Sequence, residues 1–476
     1  MRLIVGSLVA FAIVSIAEAF NVVANTVEIP GQYIVKLNNK TPYRSYLAKL
    51  ENSQAHYNAV ILATATNSSS FTNSTSIITV INHFNLGSFL GFVVKARDKN
   101  SLKKMLTGHT EVASISPDVS FQFTFSKAKT INTTKKKNTK RGKSSRVVTT
   151  INTITQKAAQ WNLARISQKL LNLNNPQYTY YCNAGHITYH HHSALELTYT
   201  SSTIGSTSFT QILAGERHWD ITPLHIQMRV VVTVSSPIVF RALLKPTLTS
   251  IFPKSALLSF TGTMVAGVAA GSALGVAKKA NIISVQIINS AGLGSLSGMI
   301  SGLMWVVQRA RKGSSVINMS LAIPRITGIQ YLNDAITATV QAGVPIFASA
   351  GDTNAGSPKV DACSMVPSGN NKVFSVASTD KTDRPDPSSN VGPCVSMFAP
   401  GVNIISDWFN SYWSQAMLSG TSMAAPHAAG VAALFMSQRS FSSPAELYTA
   451  MKQRATPGVL KGVSSNTPNL LLYNQL

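Results

Sequence analysis

Between residues 282 and 350 the chain alternates strand-like and helix-like stretches, and no other feature narrows its fold as much. Residues 282–288 (Ile-Ile-Ser-Val-Gln-Ile-Ile) are rich in β-branched residues and read as a buried strand. Residues 294–307 read as a helix, 315–321 as a second strand, 328–342 as a second helix and 344–350 as a third strand. Strands separated by helices pair in parallel, because the helix carries the chain back over one face of the sheet. The expected fold class is therefore α/β, a parallel sheet with helices on both faces. The apolar run at 264–277 is too short and too rich in glycine to read as a membrane span.

A different unit precedes this one. Residues 20–126 read as a small α/β domain, with strands at 33–37 and 91–96, a short helix at 101–106 and an extended segment at 112–118. Residues 127–160 then read as a basic linker. Its first part carries Lys127, Lys129, Lys135, Lys136, Lys137, Lys140, Arg141, Lys143 and Arg146 and no acid, a run that repels itself and stays solvated. Lys140-Arg141 fits a dibasic processing site, and the stretch equally fits a linker that is never cut. The main domain spans 161–476.

The N-terminus has the pattern of a secretory signal peptide over residues 1–19: Arg2, an apolar stretch at 3–16, and Ala17-Glu18-Ala19 as the small-residue cleavage site. After cleavage no membrane span is expected. Asn39, Asn67, Asn73 and Asn132 each open a glycosylation sequon in a polar stretch, whereas the sequon at Asn318 lies in an apolar segment and is expected to be buried. The three cysteines, Cys182, Cys363 and Cys394, allow one internal disulfide, with Cys363 and Cys394 the nearest pair. No cysteine or histidine spacing suggests a metal site. The chain holds 41 Lys and Arg against 17 Asp and Glu, a net charge of +24. No nucleic-acid module accompanies that charge, which reads as the linker plus a basic surface able to meet anionic polymers.

Gly420-Thr421-Ser422-Met423-Ala424-Ala425-Pro426-His427 is the stretch that points to chemistry. A turn feeds an apolar helix, with the Ser422 hydroxyl at its N-terminus, where the helix dipole and free N–H groups favour negative charge. This stretch resembles the nucleophile motif of subtilisin-like serine proteases. The likeness extends in order along the chain. Residues 161–167 resemble the opening of the mature domain in fungal subtilases of the proteinase K and cerevisin type. Residues 275–280, 294–298, 316–321, 398–401 and 467–471 also match that family's wording. Residues 20–126 resemble the inhibitor-type propeptide of the family, which assists folding and caps the cleft.

The same resemblance exposes departures. The family's general base is the first histidine of His-Gly-Thr-His-Val-Ala-Gly, and this chain reads Thr261-Gly262-Thr263-Met264-Val265-Ala266-Gly267. Threonine cannot accept a proton near neutral pH. By count, Ala194 holds the position of the catalytic aspartate. The oxyanion asparagine of Ala-Gly-Asn is Asp352 in Ala350-Gly351-Asp352, and the substrate-lining Leu-Gly-Gly is Leu321-Ala322-Ile323, which adds bulk beside the expected cleft. Removing the base of a triad that acts as a unit costs on the order of 10⁶ in kcat, and an oxyanion donor about 10² to 10³; both magnitudes were measured on subtilisin itself, not on this chain.

The expectation is a secreted pseudoprotease with a binding or wall-associated role. The alternative is an active endopeptidase whose His and Asp lie elsewhere, or were lost in a disrupted reading of the block 186–260. His190-His191-His192 are adjacent, so on a strand they cannot all converge on one site. His427, five residues beyond Ser422, is turned away from the hydroxyl on a helix and reads as structural. No cofactor is implied. Calcium is a candidate at Asp380, which resembles a calcium position of proteinase K-like members, although a single carboxylate is more simply a surface residue. The partners implied are a polypeptide substrate if the chain is active, its own propeptide, and anionic wall polymers. The destinations implied are the extracellular space, the cell or spore wall, or the vacuole.

Overall fold

The computed structural model describes residues 25–65, 78–123, 129–131, 153–170, 172–174, 176–181, 229–234, 261–289, 292–326, 328–354, 356–409 and 414–474. The signal-like segment, Lys140-Arg141, Cys182, His190 to His192, Ala194 and the sequons at Asn67, Asn73 and Asn132 lie outside them.

The N-terminal unit comprises β1 (Asn25–Leu37), α1 (Tyr43–Ala65), β2 (Thr79–Asn85), β3 (Leu90–Lys95), α2 (Lys99–Met105) and β4 (Val112–Gln122). Its strands run antiparallel in the order β4-β1-β3-β2. Alternation along each strand feeds two cores. Val35, Phe92 and Val94 face the two helices and meet Tyr46, Leu50, Leu102 and Met105. Ile34, Val93, Phe84, Phe89 and Phe121 face the other way, into the main domain. Periodicity does not announce α1, because only Tyr46 and Leu50 of its described side chains are buried.

Within the basic linker lie β5 (Lys129–Ile131) and β6 (Thr153–Lys157); α3 (Trp161–Ser167) and β7 (Gln177–Tyr181) follow, β7 pairing with β6. The main domain continues with β8 (Arg229–Val234), α4 (Thr261–Ala270), β9 (Asn281–Gln286), β10 (Leu293–Ser295), α5 (Leu296–Arg309), β11 (Ser315–Met319), β12 (Ile323–Pro324), α6 (Ile329–Gln341) and β13 (Ile346–Ser349). It ends with β14 (Met365–Val366), β15 (Phe374–Thr379), β16 (Met397–Pro400), β17 (Ile404–Asp407), β18 (Gln415–Leu418), α7 (Thr421–Gln438), α8 (Pro444–Arg454), β19 (Thr456–Pro457) and β20 (Leu470–Leu471).

The central sheet has the order β20-β16-β15-β13-β11-β8-β9, all parallel, with β19 antiparallel at one edge. Helices cover both faces, as expected. Val316 and Phe347 point to the face packed by α4 and α7. Their neighbours Ile317, Ile346 and Ala348 point to the face packed by α5 and α6. The buried sequon is also found: Asn318 is fully buried. Cys363 and Cys394 form the disulfide, with a Cα–Cα distance of 5.2 Å.

Two strand pairings attach the N-terminal part to the main domain. The free edge of β4 pairs with β10, placing Gln122 opposite Leu293 and Ser120 opposite Ser295. This pairing corrects one expectation. Gly294 and Ser295, read as the start of a helix, are strand because β4 offers them an edge, and α5 begins only at Leu296. Ser295 then caps α5, its Oγ accepting from the Gly298 N–H at 3.0 Å. Asp118, fully buried, reaches across from β4: its Oδ1 accepts from the Ser297 N–H at 3.1 Å. In the second pairing β5 lies antiparallel against β18, with Lys129 opposite Met417 and Ile131 opposite Gln415. No helix among the described residues is long and apolar enough to cross a membrane.

Candidate active site

Helix α7 sets the position of Ser422. It is buried from Thr421 to Met436 and built largely of alanine, glycine and other compact residues, which lets it run through the centre of the core against α4. Gly420, just before it, has φ 131°, a conformation that favours glycine, and a Cβ there would make a tight contact of 3.3 Å with Asp352 Oδ2. Pro426 sits inside the helix and has no N–H to offer the carbonyl four residues earlier, that of Ser422. The Ser320 hydroxyl takes its place, donating to the Ser422 carbonyl at 2.7 Å.

The Ser422 hydroxyl is itself only 2% exposed as a residue and donates to the Ser320 carbonyl at 3.3 Å. A backbone carbonyl accepts a hydrogen bond but cannot take the proton, so this contact leaves the hydroxyl an alcohol. Thr261 stands at the first position of α4, and that helix shares one core with α7 through Met264, Val265, Val268 and Met423. Gly267 in the same helix is demanded by packing, because a Cβ there would lie 2.3 Å from Ser406 Oγ. Thus the frame around Thr261 keeps its structural reason even with no imidazole at its head. Ala194 falls outside the described residues.

His427 is held elsewhere. It is fully buried, with Nε2 2.8 Å from Asn162 Nδ2 and Nδ1 2.8 Å from the Met423 carbonyl. The Asn162 amide donates, which makes Nε2 the acceptor and Nδ1–H the donor to Met423. Burial pushes its pKa down to about 4, and the Met423 contact opposes this only weakly. It is a neutral structural histidine joining α7 to α3.

Asp352 occupies the position read as the oxyanion residue, but both its oxygens are spent on the residue before the serine. Oδ1 accepts from the Thr421 N–H at 2.9 Å, and Oδ2 accepts from the Thr421 hydroxyl at 2.7 Å. Thr421 Oγ1 in turn accepts from the Gly351 N–H at 3.2 Å. Asp352 as a residue is half-buried, but its carboxyl lies in the packed corner against Gly420 and Thr421. Burial raises its pKa to about 7; the Thr421 hydrogen bonds and Lys359 pull it down, and the nearby Asp386 charge pushes it further up. A carboxylate therefore caps α7 where a subtilase places an amide donor. The sequence marks Asp352 as a departure, yet gives no signal that its partner is Thr421, 69 residues later.

Leu321, Ala322 and Ile323 are 4%, 2% and 0% exposed, so their bulk is taken up by the interior. Asp380, the calcium candidate, closes a turn: its Oδ1 accepts from Thr382 N, Thr382 Oγ1 and Arg384 N, at 2.8, 2.8 and 3.0 Å. Among the described residues no group of three His, Cys, Asp or Glu could hold a metal ion.

The main domain is similar to known proteins. Residues 262–469 match the model of the subtilase family, Peptidase_S8. The chain is 40% identical over 213 residues to alkaline serine exoprotease A of Vibrio alginolyticus, covering 45% of this chain and 38% of that protein. It is 39% identical over 212 residues to an extracellular serine proteinase of Thermus sp. strain Rt41A, 44% of this chain and 50% of that protein. With the subtilisin-like serine protease pepC of Aspergillus niger it shares 37% identity over 231 residues, 44% and 42% of the two chains. The matched region thus spans half or less of the length of these relatives. A solved cold-adapted subtilisin-like serine proteinase aligns with TM-score 0.48 and 29% identity, over 67% of this chain and 99% of that one.

Proposed function

We propose that this chain, which carries a subtilase-family domain over residues 262–469, has kept the fold and lost the reaction. The observation that carries this reading is the hydrogen bonding of Ser422, taken with the residue types that the sequence supplies. Its hydroxyl donates to the Ser320 carbonyl, Thr261 and Ala194 stand where base and acid are expected, and a carboxylate stands where the oxyanion donor is expected. A serine hydrolase needs all three kinds of group, and none is supplied by the residue type present.

In this reading the protein enters the secretory pathway and acts by binding, with cell or spore wall or vacuole as its destination and anionic wall polymers as fitting partners for its charge. The N-terminal unit acts as a retained propeptide. Active subtilases remove theirs by their own cleavage; this chain cannot, so the unit stays on α5 and α6 unless another protease cuts it. The second reading, an active endopeptidase on polypeptide substrates, draws on the preserved serine turn and on the protease names of the relatives.

A fluorophosphonate probe separates the two, because it reacts only with an activated serine hydroxyl. The full chain is expected to take up no label above the Ser422→Ala control. Labelling that the control abolishes would overturn the proposal.

A further inference from the structure

Three groups around the start of α7 are left unexplained by a lost reaction alone: Asp352, Asp386 and Lys359. We infer that Asp352 and Lys359 form a charge-coupled clamp in which the Asp352 carboxyl occupies the start of α7 and exchanges a proton there, which makes the fold sensitive to pH at that point. The inference rests on the reading of Asp352 as the former oxyanion position.

The geometry has two halves. On the first, the Asp352 carboxylate receives the Thr421 N–H and hydroxyl, two donors at the positive end of a buried 18-residue helix. On the second, Lys359 Nζ donates to the carbonyls of Asp386 and Ser389, each at 3.0 Å, and to that of Pro387. An ammonium has three protons, so all of them go to the backbone and none to a carboxylate. Lys359 therefore acts on its acidic neighbours through its charge and through the segment it holds.

That segment backs directly onto Asp352. Ser389 bridges Asp352 in antiparallel register, the Thr353 N–H donates to the Ser388 carbonyl at 2.8 Å, and the Asn390 N–H donates to the Gly351 carbonyl at 2.9 Å. The same segment also carries Asp386, 2% exposed, whose carboxylate accepts from Ser388 N, Ser388 Oγ and Ser378 Oγ. Two acidic groups thus sit in one enclosed corner, with Lys359 as the cation that acts on both. The first turn of α7 contributes no acidic residue.

The sign of the pH effect follows from burial. With a folded-state pKa near 7 against an ordinary value of 3.8, the neutral acid is the form the fold prefers. Its stabilising contribution is complete below the ordinary value and is lost as pH rises through 7. Lys359 moderates that loss by favouring the ionised form.

The test is unfolding of the full chain in denaturant from pH 4 to pH 9, for the natural protein, Asp352→Asn, Lys359→Met and the double variant. The folding constant of Asp352→Asn relative to the natural protein should rise from near one at pH 4 to about ten- to a hundred-fold above pH 8, with the partial solvent access of Asp352 allowed for. Lys359→Met should move the Asp352 titration to higher pH in the natural background and leave no such shift in the Asp352→Asn background. Lys359→Gln, which keeps a donor without the charge, should behave as Lys359→Met does in that titration. Parallel pH profiles for the natural protein and Asp352→Asn would overturn the clamp, as would an equal effect of Lys359→Met at every pH in both backgrounds. Because none of these readings involves serine reactivity, their failure is distinct from a positive fluorophosphonate result.

Discussion

Asp118 and Asp352 each cap the first turn of a helix in the main domain, but the company they keep differs. Asp118 comes from the N-terminal unit and is fully buried; it accepts from Gln32 Nε2 at 2.6 Å, Val119 N at 2.9 Å and Ser297 N at 3.1 Å. Burial raises its pKa, and all the opposing influences are hydrogen bonds. Asp352 takes both its donors from the single residue Thr421, and two charges act on it, that of Asp386 raising its pKa and that of Lys359 lowering it. One carboxyl is anchored by uncharged donors from three residues, one of which, Ser297, lies across the interface. The other is balanced by charge within one domain. Burial pushes both carboxyls toward the neutral acid, but only that of Asp352 is also set by neighbouring charges, so only it should respond to their removal.

The comparison can be broken first at Asp118. Replacing it with alanine strands three donors, two of them backbone N–H groups, and should cost about 3–5 kcal/mol, with the N-terminal unit becoming the first part cut in limited proteolysis. A loss under about 1 kcal/mol would mean that water replaces the carboxylate and that the interface does not depend on it. A smaller effect of opposite pH dependence is expected at His427. Its folded pKa near 4 lies below the ordinary 6.5, so its contribution is complete above 6.5 and is lost as pH falls through 4, about 3 kcal/mol in all. His427→Gln should remove that acid-side slope from the unfolding profile while leaving the neutral-side slope of Asp352 in place. The smallest expected effect is Asp352→Asn at pH 8, a gain of about 1–3 kcal/mol after allowing for partial solvent access. If Lys359→Met moves the titration of Asp118 as it moves that of Asp352, the distinction drawn between the two caps is wrong.

How much of this was legible beforehand differs by level. The parallel sheet was readable because Ile282 to Ile288 and Ser315 to Leu321 are apolar runs with helices between them, a local pattern that tertiary structure only had to accept. The conversion of Gly294 and Ser295 to strand was not, because it depends on an edge supplied by Gln122 and Phe121 from another unit. Helix α1 was hidden for a related reason: it covers a sheet with a few aromatic and aliphatic contacts and leaves most of its surface in water. At the site, residue identities gave the departures at Thr261 and Asp352 but not their consequences. That Ser422 and Ser320 exchange hydrogen bonds through their hydroxyls and carbonyls follows from Pro426 freeing one carbonyl, a link visible only once the helix register is known.

The short strand β5 has a consequence for how this molecule could be processed. Lys129 to Ile131 are paired on β18, upstream of Lys140-Arg141. A protease acting at that dibasic pair would sever the covalent link yet leave the N-terminal fragment stitched in place twice, by β4 on β10 and by β5 on β18, with its apolar face still against α5 and α6. The product would be a nicked heterodimer of one gene's two pieces, separating into two bands under denaturing electrophoresis but eluting as one species from a sizing column. Maturation, for such a chain, would change the number of polypeptides without changing the particle.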